Sequence, residues 1–81
     1  RDTGSHDFAV WRVWQAAVGE FVAGRARPLR ARNGVLMIEV ANHSLQQQLH
    51  SMTATLLARL NEKLAPLVLR ELIFVAGDPA T

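Results

Sequence analysis

The chain has 81 residues, the size of one small domain, and 49% of them are hydrophobic. It contains no cysteine, so disulfides are excluded and a cytoplasmic location is expected. Nine Lys and Arg residues against seven Asp and Glu leave a net charge of only +2, which by itself is a weak indication of a polyanionic partner. No stretch approaches the roughly 20 apolar residues of a transmembrane helix, and no signal-peptide pattern is present, so no membrane association is expected.

Residues 8–23 are predicted to form the first helix, because their apolar residues recur at helical spacing. Asp7 is the expected N-cap, and Gly24 suits the left-handed residue that follows a helix. Gly19 then lies inside the helix at a cost of about 1 kcal/mol relative to alanine, which predicts the close approach of another backbone. The stripe expected to face the core comprises Val10, Trp14, Ala17, Val18 and Phe21, with Trp11 at its edge.

A β-hairpin is predicted next. Residues 25–32 suit a strand in which Pro28, lacking an N–H, indicates an edge position or a bulge. Asn33 and Gly34 both tolerate positive φ and predict a type I′ turn. In the return strand, alternation directs Leu36, Ile38 and Val40 to the core and Val35, Met37 and Glu39 outward.

A second helix is predicted to begin at Ser44, which forms a capping box with Gln47. Pro66 ends it, because the residue before a proline disfavours helical geometry. Residues 67–74 then suit a third strand with apolar residues on both faces. The buried stripe of this helix comprises Leu45, Leu49, Met52, Leu56, Leu60 and Leu64.

The predicted order is therefore α-β-β-α-β, an α+β fold with a three-stranded sheet and two helices packed on one face. The domain is expected to span residues 8–76, between a flexible segment at residues 1–7 and the start of a C-terminal tail at residues 77–81. Val35 and Met37 are left on the uncovered face of the sheet. Exposed apolar surface of this kind indicates a partner surface, for instance that of a weak homodimer.

Catalysis is not expected, because the acidic residues are scattered and there is no cysteine nucleophile. His43 and His50 are seven residues apart, too far for the i,i+4 pair of a helical zinc site. Both are interpreted as surface histidines. We therefore predict no enzyme, no metal site and no cofactor.

Four arginines (Arg25, Arg27, Arg30 and Arg32) lie within eight residues, and arginine suits bidentate phosphate recognition. A regular strand would direct the first two to one face and the last two to the other. A bulge at Pro28 could instead align all four as a basic stripe for phosphate contacts. The competing interpretation is an ordinary solvated strand in a chain that uses arginine in place of lysine.

Motifs in a fixed order carry a family resemblance. They are W-x-x-x-V-G (Trp14 to Gly19), NGVLMIEV, S-L-x-x-x-L, LL-x-x-LN (ending at Asn61) and L-x-F-x-x-G (ending at Gly77). Over residues 11 to 77 the chain resembles the N-terminal domain of the bacterial DciA family. The resemblance implies a KH-like fold and a non-enzymatic role in replication, in which the domain binds the helicase DnaB and DNA and assists helicase loading at the nucleoid.

The resemblance also implies that Trp14 is the family's characteristic tryptophan, with a role in partner binding, although the helical stripe places it in the core. Trp11 lies outside the motif and is the better candidate for an exposed partner contact. Single-stranded or forked DNA is the expected nucleic acid. Two alternatives stay open, an RNA-binding or ribosome-associated KH-like module and a structural dimerisation domain, although the G-x-x-G loop of true KH domains is absent.

Overall fold

The computed structural model describes residues 6–77 and has the predicted α+β architecture. The order of the strands across the sheet is β1-β2-β3, with β1 and β2 antiparallel and β2 and β3 parallel. The predictions for residues 1–5 and 78–81 lie outside the described residues. The elements are α1 (Asp7–Val18), α2 (Glu20–Ala23), β1 (Ala26–Arg32), β2 (Val35–Val40), α3 (His43–Ser51), α4 (Thr53–Leu64) and β3 (Glu71–Ala76).

One face of the sheet packs against the helices and forms the core, which we call the inner face. The opposite, outer face carries no helix among the described residues, in agreement with the two-layer prediction. Alternation along β2 is regular, so its even-numbered residues are buried and its odd-numbered residues lie on the outer face. The largest fully buried side chains are Val10, Leu36, Ile38, Val40, Leu49 and Leu60.

Each predicted helix is divided in two, and the first break lies at Gly19. Gly19 has φ 93° and ψ 159°, a conformation that is essentially restricted to glycine. The predicted approach of another backbone is wrong, because no atom lies within 4 Å of the position that a Cβ would occupy. The break also changes the helical phase, so Phe21 is exposed and was wrongly predicted in the core stripe.

The predicted helix caps are also corrected. Asp7 is the first residue of α1, and the N-cap position belongs to His6. Gly24 has φ −79° and is not left-handed. The second helical region begins at His43 after an N-cap at Asn42, whose side-chain oxygen accepts a hydrogen bond from the Leu45 amide at 2.8 Å. Asn42 thus takes the role predicted for Ser44, and a second break at Met52 separates α3 from α4.

The hairpin prediction is confirmed. Asn33 and Gly34 have φ 56° and 82°, the positive values that a type I′ turn requires. The third strand begins later than predicted, at Glu71, because the preceding segment is fixed by side-chain contacts. Asn61 of α4 donates to the Leu69 carbonyl at 2.9 Å and accepts from the Leu69 amide at 2.7 Å. No helix within residues 6–77 has the length and apolarity needed to span a membrane.

Candidate nucleic-acid interface

The arginine-rich strand β1 contains the bulge that Pro28 suggested. Pro28 lies opposite Ile38, but the next paired residue is Arg30, which lies opposite Met37. Leu29 is therefore the extra residue without a partner across the ladder. Residues directly opposite each other in the ladder share a face of the sheet. The bulge therefore places Arg30 on the outer face with Met37.

Three arginines consequently share the outer face. Arg27 lies opposite Glu39, Arg30 opposite Met37, and Arg32 opposite Val35, which are all outer-face positions of β2. All three arginines are exposed. We call this set (Arg27, Arg30 and Arg32) the arginine row.

The members of the arginine row have different surroundings. The Arg27 Nε lies 2.6 Å from Glu39 Oε1 and forms an ion pair in which the arginine side chain stays largely exposed. The Arg30 guanidinium has no hydrogen-bond or ion-pair partner among the described residues. An exposed ion pair contributes only about 0–1 kcal/mol, so Arg27 can exchange its carboxylate for a phosphate at little cost.

Arg25 precedes β1 and does not belong to the row. Its guanidinium lies over the Phe21 ring, 4.0 Å from the ring centroid, and Nη1 donates to the Phe21 carbonyl at 3.1 Å. These contacts hold Arg25 against α2. The structure thus brings together three of the four predicted arginines.

Near both of its ends, the edge of β1 that does not pair with β2 is hydrogen-bonded to α1 or to its N-cap residue. The Ala31 carbonyl accepts from the His6 amide at 2.8 Å, and the Ala31 amide donates to Asp7 Oδ1 at 2.7 Å. Near the other end of the strand, Trp14 Nε1 donates to the Ala26 carbonyl at 3.0 Å. These contacts satisfy edge groups that would otherwise be open to strand pairing.

The two tryptophans lie in different environments. Trp14 is 6% exposed and bonded to β1, which confirms its predicted place in the core stripe. Trp11 is 64% exposed and lines a small cleft with Leu29 and Arg30. Direct partner binding by either tryptophan stays a prediction, and only Trp11 presents a large surface for it.

The centre of the outer face is apolar. Met37 of β2 lies beside Ile73 of β3, and Val35 and Val75 lie on the same face. Ile73 is 37% exposed and the other three are half-buried. The outer face therefore combines an apolar centre with a cationic margin.

A family model described as "Dna[CI] antecedent, DciA" matches residues 3–74. The chain belongs to the DciA family. The family has a role in DNA replication related to helicase loading and is not a family of enzymes. No match is found among proteins of curated function.

The motif residues that carried the resemblance to the DciA family have structural roles here. Trp14 joins α1 to β1, Gly19 permits the break after α1, and Asn61 fixes the chain before β3. Gly77 donates its amide to the Val40 carbonyl at 2.8 Å, and a Cβ at this glycine would overlap the side chain of Glu39. The motif therefore specifies the fold, and the arginine row lies outside it.

Two residues beside the arginine row, Glu39 and Phe8, are not predicted as site residues from the sequence. Counting back from the Asn33-Gly34 turn pairs Arg27 with Val40 in a regular hairpin, so the ion pair with Glu39 appears only once the bulge is included. Phe8 lies off the predicted core stripe, a position that signals exposure, and its side chain is 77% exposed. Within residues 6–77, no group of three His, Asp or Glu side chains is placed to hold a metal ion.

Proposed function

We propose that this domain is a non-enzymatic DNA-replication initiation factor that binds the replicative helicase DnaB and single-stranded or forked DNA and assists helicase loading. It acts in the cytoplasm, at the nucleoid. The family membership supports the helicase-related role. The observation that carries the DNA contact is the bulge at Leu29, which aligns three arginines on a face of the sheet that no described helix covers.

The arginine row binds the DNA backbone without reading sequence. Phosphate contacts position a nucleic acid but carry no base information, and β1 offers no aromatic side chain to its ligand. Three phosphate contacts predict a slope of log affinity against log salt of about −2 for single strands. Raising the salt from 50 to 200 mM therefore lowers the affinity by roughly 20-fold.

Fluorescence anisotropy with a forked DNA tests this contact. The Arg25/Arg27/Arg30/Arg32→Ala variant is expected to lose most of the affinity and nearly all of the salt dependence. Arg30→Ala alone is expected to make the slope of log affinity against log salt shallower by about 0.7, because one phosphate contact is lost. Arg59→Ala is the matched control, because it also removes one exposed arginine but from α4. Equal losses in the two single variants would contradict a localised site, and an equal affinity for an RNA strand would favour the RNA-binding alternative.

The helicase contact is tested by pull-down with DnaB and by loading on a forked DNA. The wild-type domain is expected to capture DnaB, and the quadruple arginine variant to capture it equally well while binding DNA only weakly. This separation is expected because the row is assigned to phosphates. Failure of the domain to increase helicase loading on the fork would refute the proposed role.

A weak homodimer through the outer face is the second candidate. It is favoured by the apolar centre at Met37 and Ile73, which no described element covers. Ile73→Asp would prevent such a dimer, because it places a charge at the centre of the apolar surface that the two copies would share. A monomeric wild-type domain by light scattering at high concentration would exclude this candidate.

A further inference from the structure

Helix α1 runs antiparallel to β1, along the edge of that strand that does not pair with β2. The side chain of Asp7, its first residue, accepts a hydrogen bond from the Ala31 amide near the end of the strand. Two turns later, the side chain of Trp14 donates a hydrogen bond to the Ala26 carbonyl at the start of the strand. Trp11 lies between these two contacts and shares a cleft with Leu29 and Arg30. The side chains of the first half of α1 therefore follow the same strand as the arginine row.

Two aromatic side chains stand exposed on this half of the helix. Phe8 is 77% and Trp11 64% exposed, and they are i,i+3 neighbours on one helix surface. Neither belongs to the buried core. Leu29, pushed out of the ladder by the bulge, is 41% exposed and lies beside Trp11. An apolar ledge of Phe8, Trp11 and Leu29 thus borders the cationic strand.

We propose that this ledge binds the bases of single-stranded DNA whose phosphates contact the arginine row. The inference rests on the proposed DNA binding and adds the base-binding residues. Aromatic side chains beside a cationic track suit single strands, because unpaired bases stack on them in a sequence-tolerant way. In a duplex the bases are already stacked and cannot reach Trp11.

Charge favours DNA over an apolar protein segment as the occupant. Arg30 lines the same cleft as Trp11, and Arg12 follows Trp11 on the exposed surface of α1. Asp7 is the one acidic residue in the lining, and its Oδ1 accepts a hydrogen bond from the Ala31 amide. A polyanion neutralises these cations, whereas an uncharged segment would desolvate them without compensation. The groove at the opposite edge of the sheet, lined by Gln46, Gln47, His50, Leu72, Ile73 and Phe74, has no arginine or lysine in its lining.

Affinity for a dT oligomer and for a duplex of equal length tests the ledge. Trp11→Ala is expected to weaken dT binding by about fivefold or more, the effect of losing one stacked base. The salt slope should not change, because no phosphate contact is lost, and duplex binding should also stay the same. Trp11→Phe is expected to retain most of the affinity, and His50→Ala, in the opposite groove, to retain all of it.

Intrinsic fluorescence gives a direct readout of stacking. Because Trp14 is buried and bonded to Ala26, an emission change on adding the dT oligomer reports on Trp11. Quenching is expected in the wild-type domain. Trp11→Phe should lose the quenching while anisotropy still detects binding.

The outcomes separate this inference from the proposed function. If Trp11→Ala and Phe8→Ala bind dT as tightly as the wild-type domain, the ledge does not bind bases, although backbone binding stands. If Trp11→Ala keeps its DNA affinity but no longer captures DnaB, the tryptophan is a protein contact and the inference is wrong. If the wild-type domain binds no DNA at all, the proposed function itself fails.

Discussion

The break after α1 can be tested by adding one methyl group at Gly19. With φ 93° and ψ 159°, this residue occupies a region that L-amino acids hardly populate. Gly19→Ala meets no steric obstacle from neighbouring residues, because nothing lies within 4 Å of the new Cβ. The expected loss of about 1–3 kcal/mol in the free energy of unfolding therefore comes from backbone strain alone.

Gly24 provides a matched control at the end of the next helix. Its φ of −79° suits any L-residue, and an added Cβ would make ordinary contacts, at 3.5 Å and 3.8 Å, with the carbonyl oxygens of Glu20 and Phe21. Gly24→Ala should therefore stabilise the domain by about 0.4–1 kcal/mol, because it restricts the unfolded chain. The two substitutions are chemically identical and are expected to have opposite signs.

Urea denaturation followed by circular dichroism measures both variants against the wild-type domain. Equal slopes of free energy against denaturant would indicate that the comparison reports stability and not a change in compactness. If Gly19→Ala is as stable as the wild-type domain, a continuous helix through residue 19 is accessible and the assigned break is wrong. If both variants lose stability equally, backbone conformation does not explain the difference between the two glycines.

Three further predictions concern the chain before β3 and the ion pair on the outer face. Asn61→Ala should cost about 1–3 kcal/mol in urea denaturation, because it leaves the amide and carbonyl of Leu69 without their partner; an unchanged midpoint would contradict this role. Glu39→Gln should strengthen DNA binding by up to about fivefold with little change in the salt slope, because the phosphate contact of Arg27 no longer competes with an exposed ion pair of about 0–1 kcal/mol. Gly77→Ala should act in the same direction, since its methyl group displaces Glu39; weaker DNA binding in either variant would count against the arginine row.

The hairpin and the two-layer architecture were predictable because local signals agreed with the global fold. Asn33 and Gly34 determine the turn by backbone preference alone, and the alternation in β2 separates core from surface without reference to other elements. The helix ends were less predictable because several residues could serve as caps. Asn42 and Ser44 are both good N-caps, and the choice of Asn42 depends on where the chain leaves β2.

The candidate site was predictable in composition but not in geometry. Pro28 indicates either a bulge or an edge position. With a bulge, Arg30 and Arg32 lie on the same face as Arg27, whereas in a regular strand both lie on the opposite face. The exposed position of Trp11 followed from the helical wheel, but its proximity to Leu29 depends on the tertiary contact between α1 and β1. No local pattern encodes that contact, since the residues that make it are about 18 positions apart.

The bulge has a further consequence for how charge patterns in this strand are compared between related chains. Arg27 and Arg30 are three residues apart, an odd number, yet they occupy successive positions on one side of the sheet because Leu29 has no place in the ladder. A shorter relative lacking that residue would present the same charges at a spacing of two. Alignment by ladder position would recognise the two strands as equivalent, whereas counting residues would assign their arginines to opposite sides of the protein.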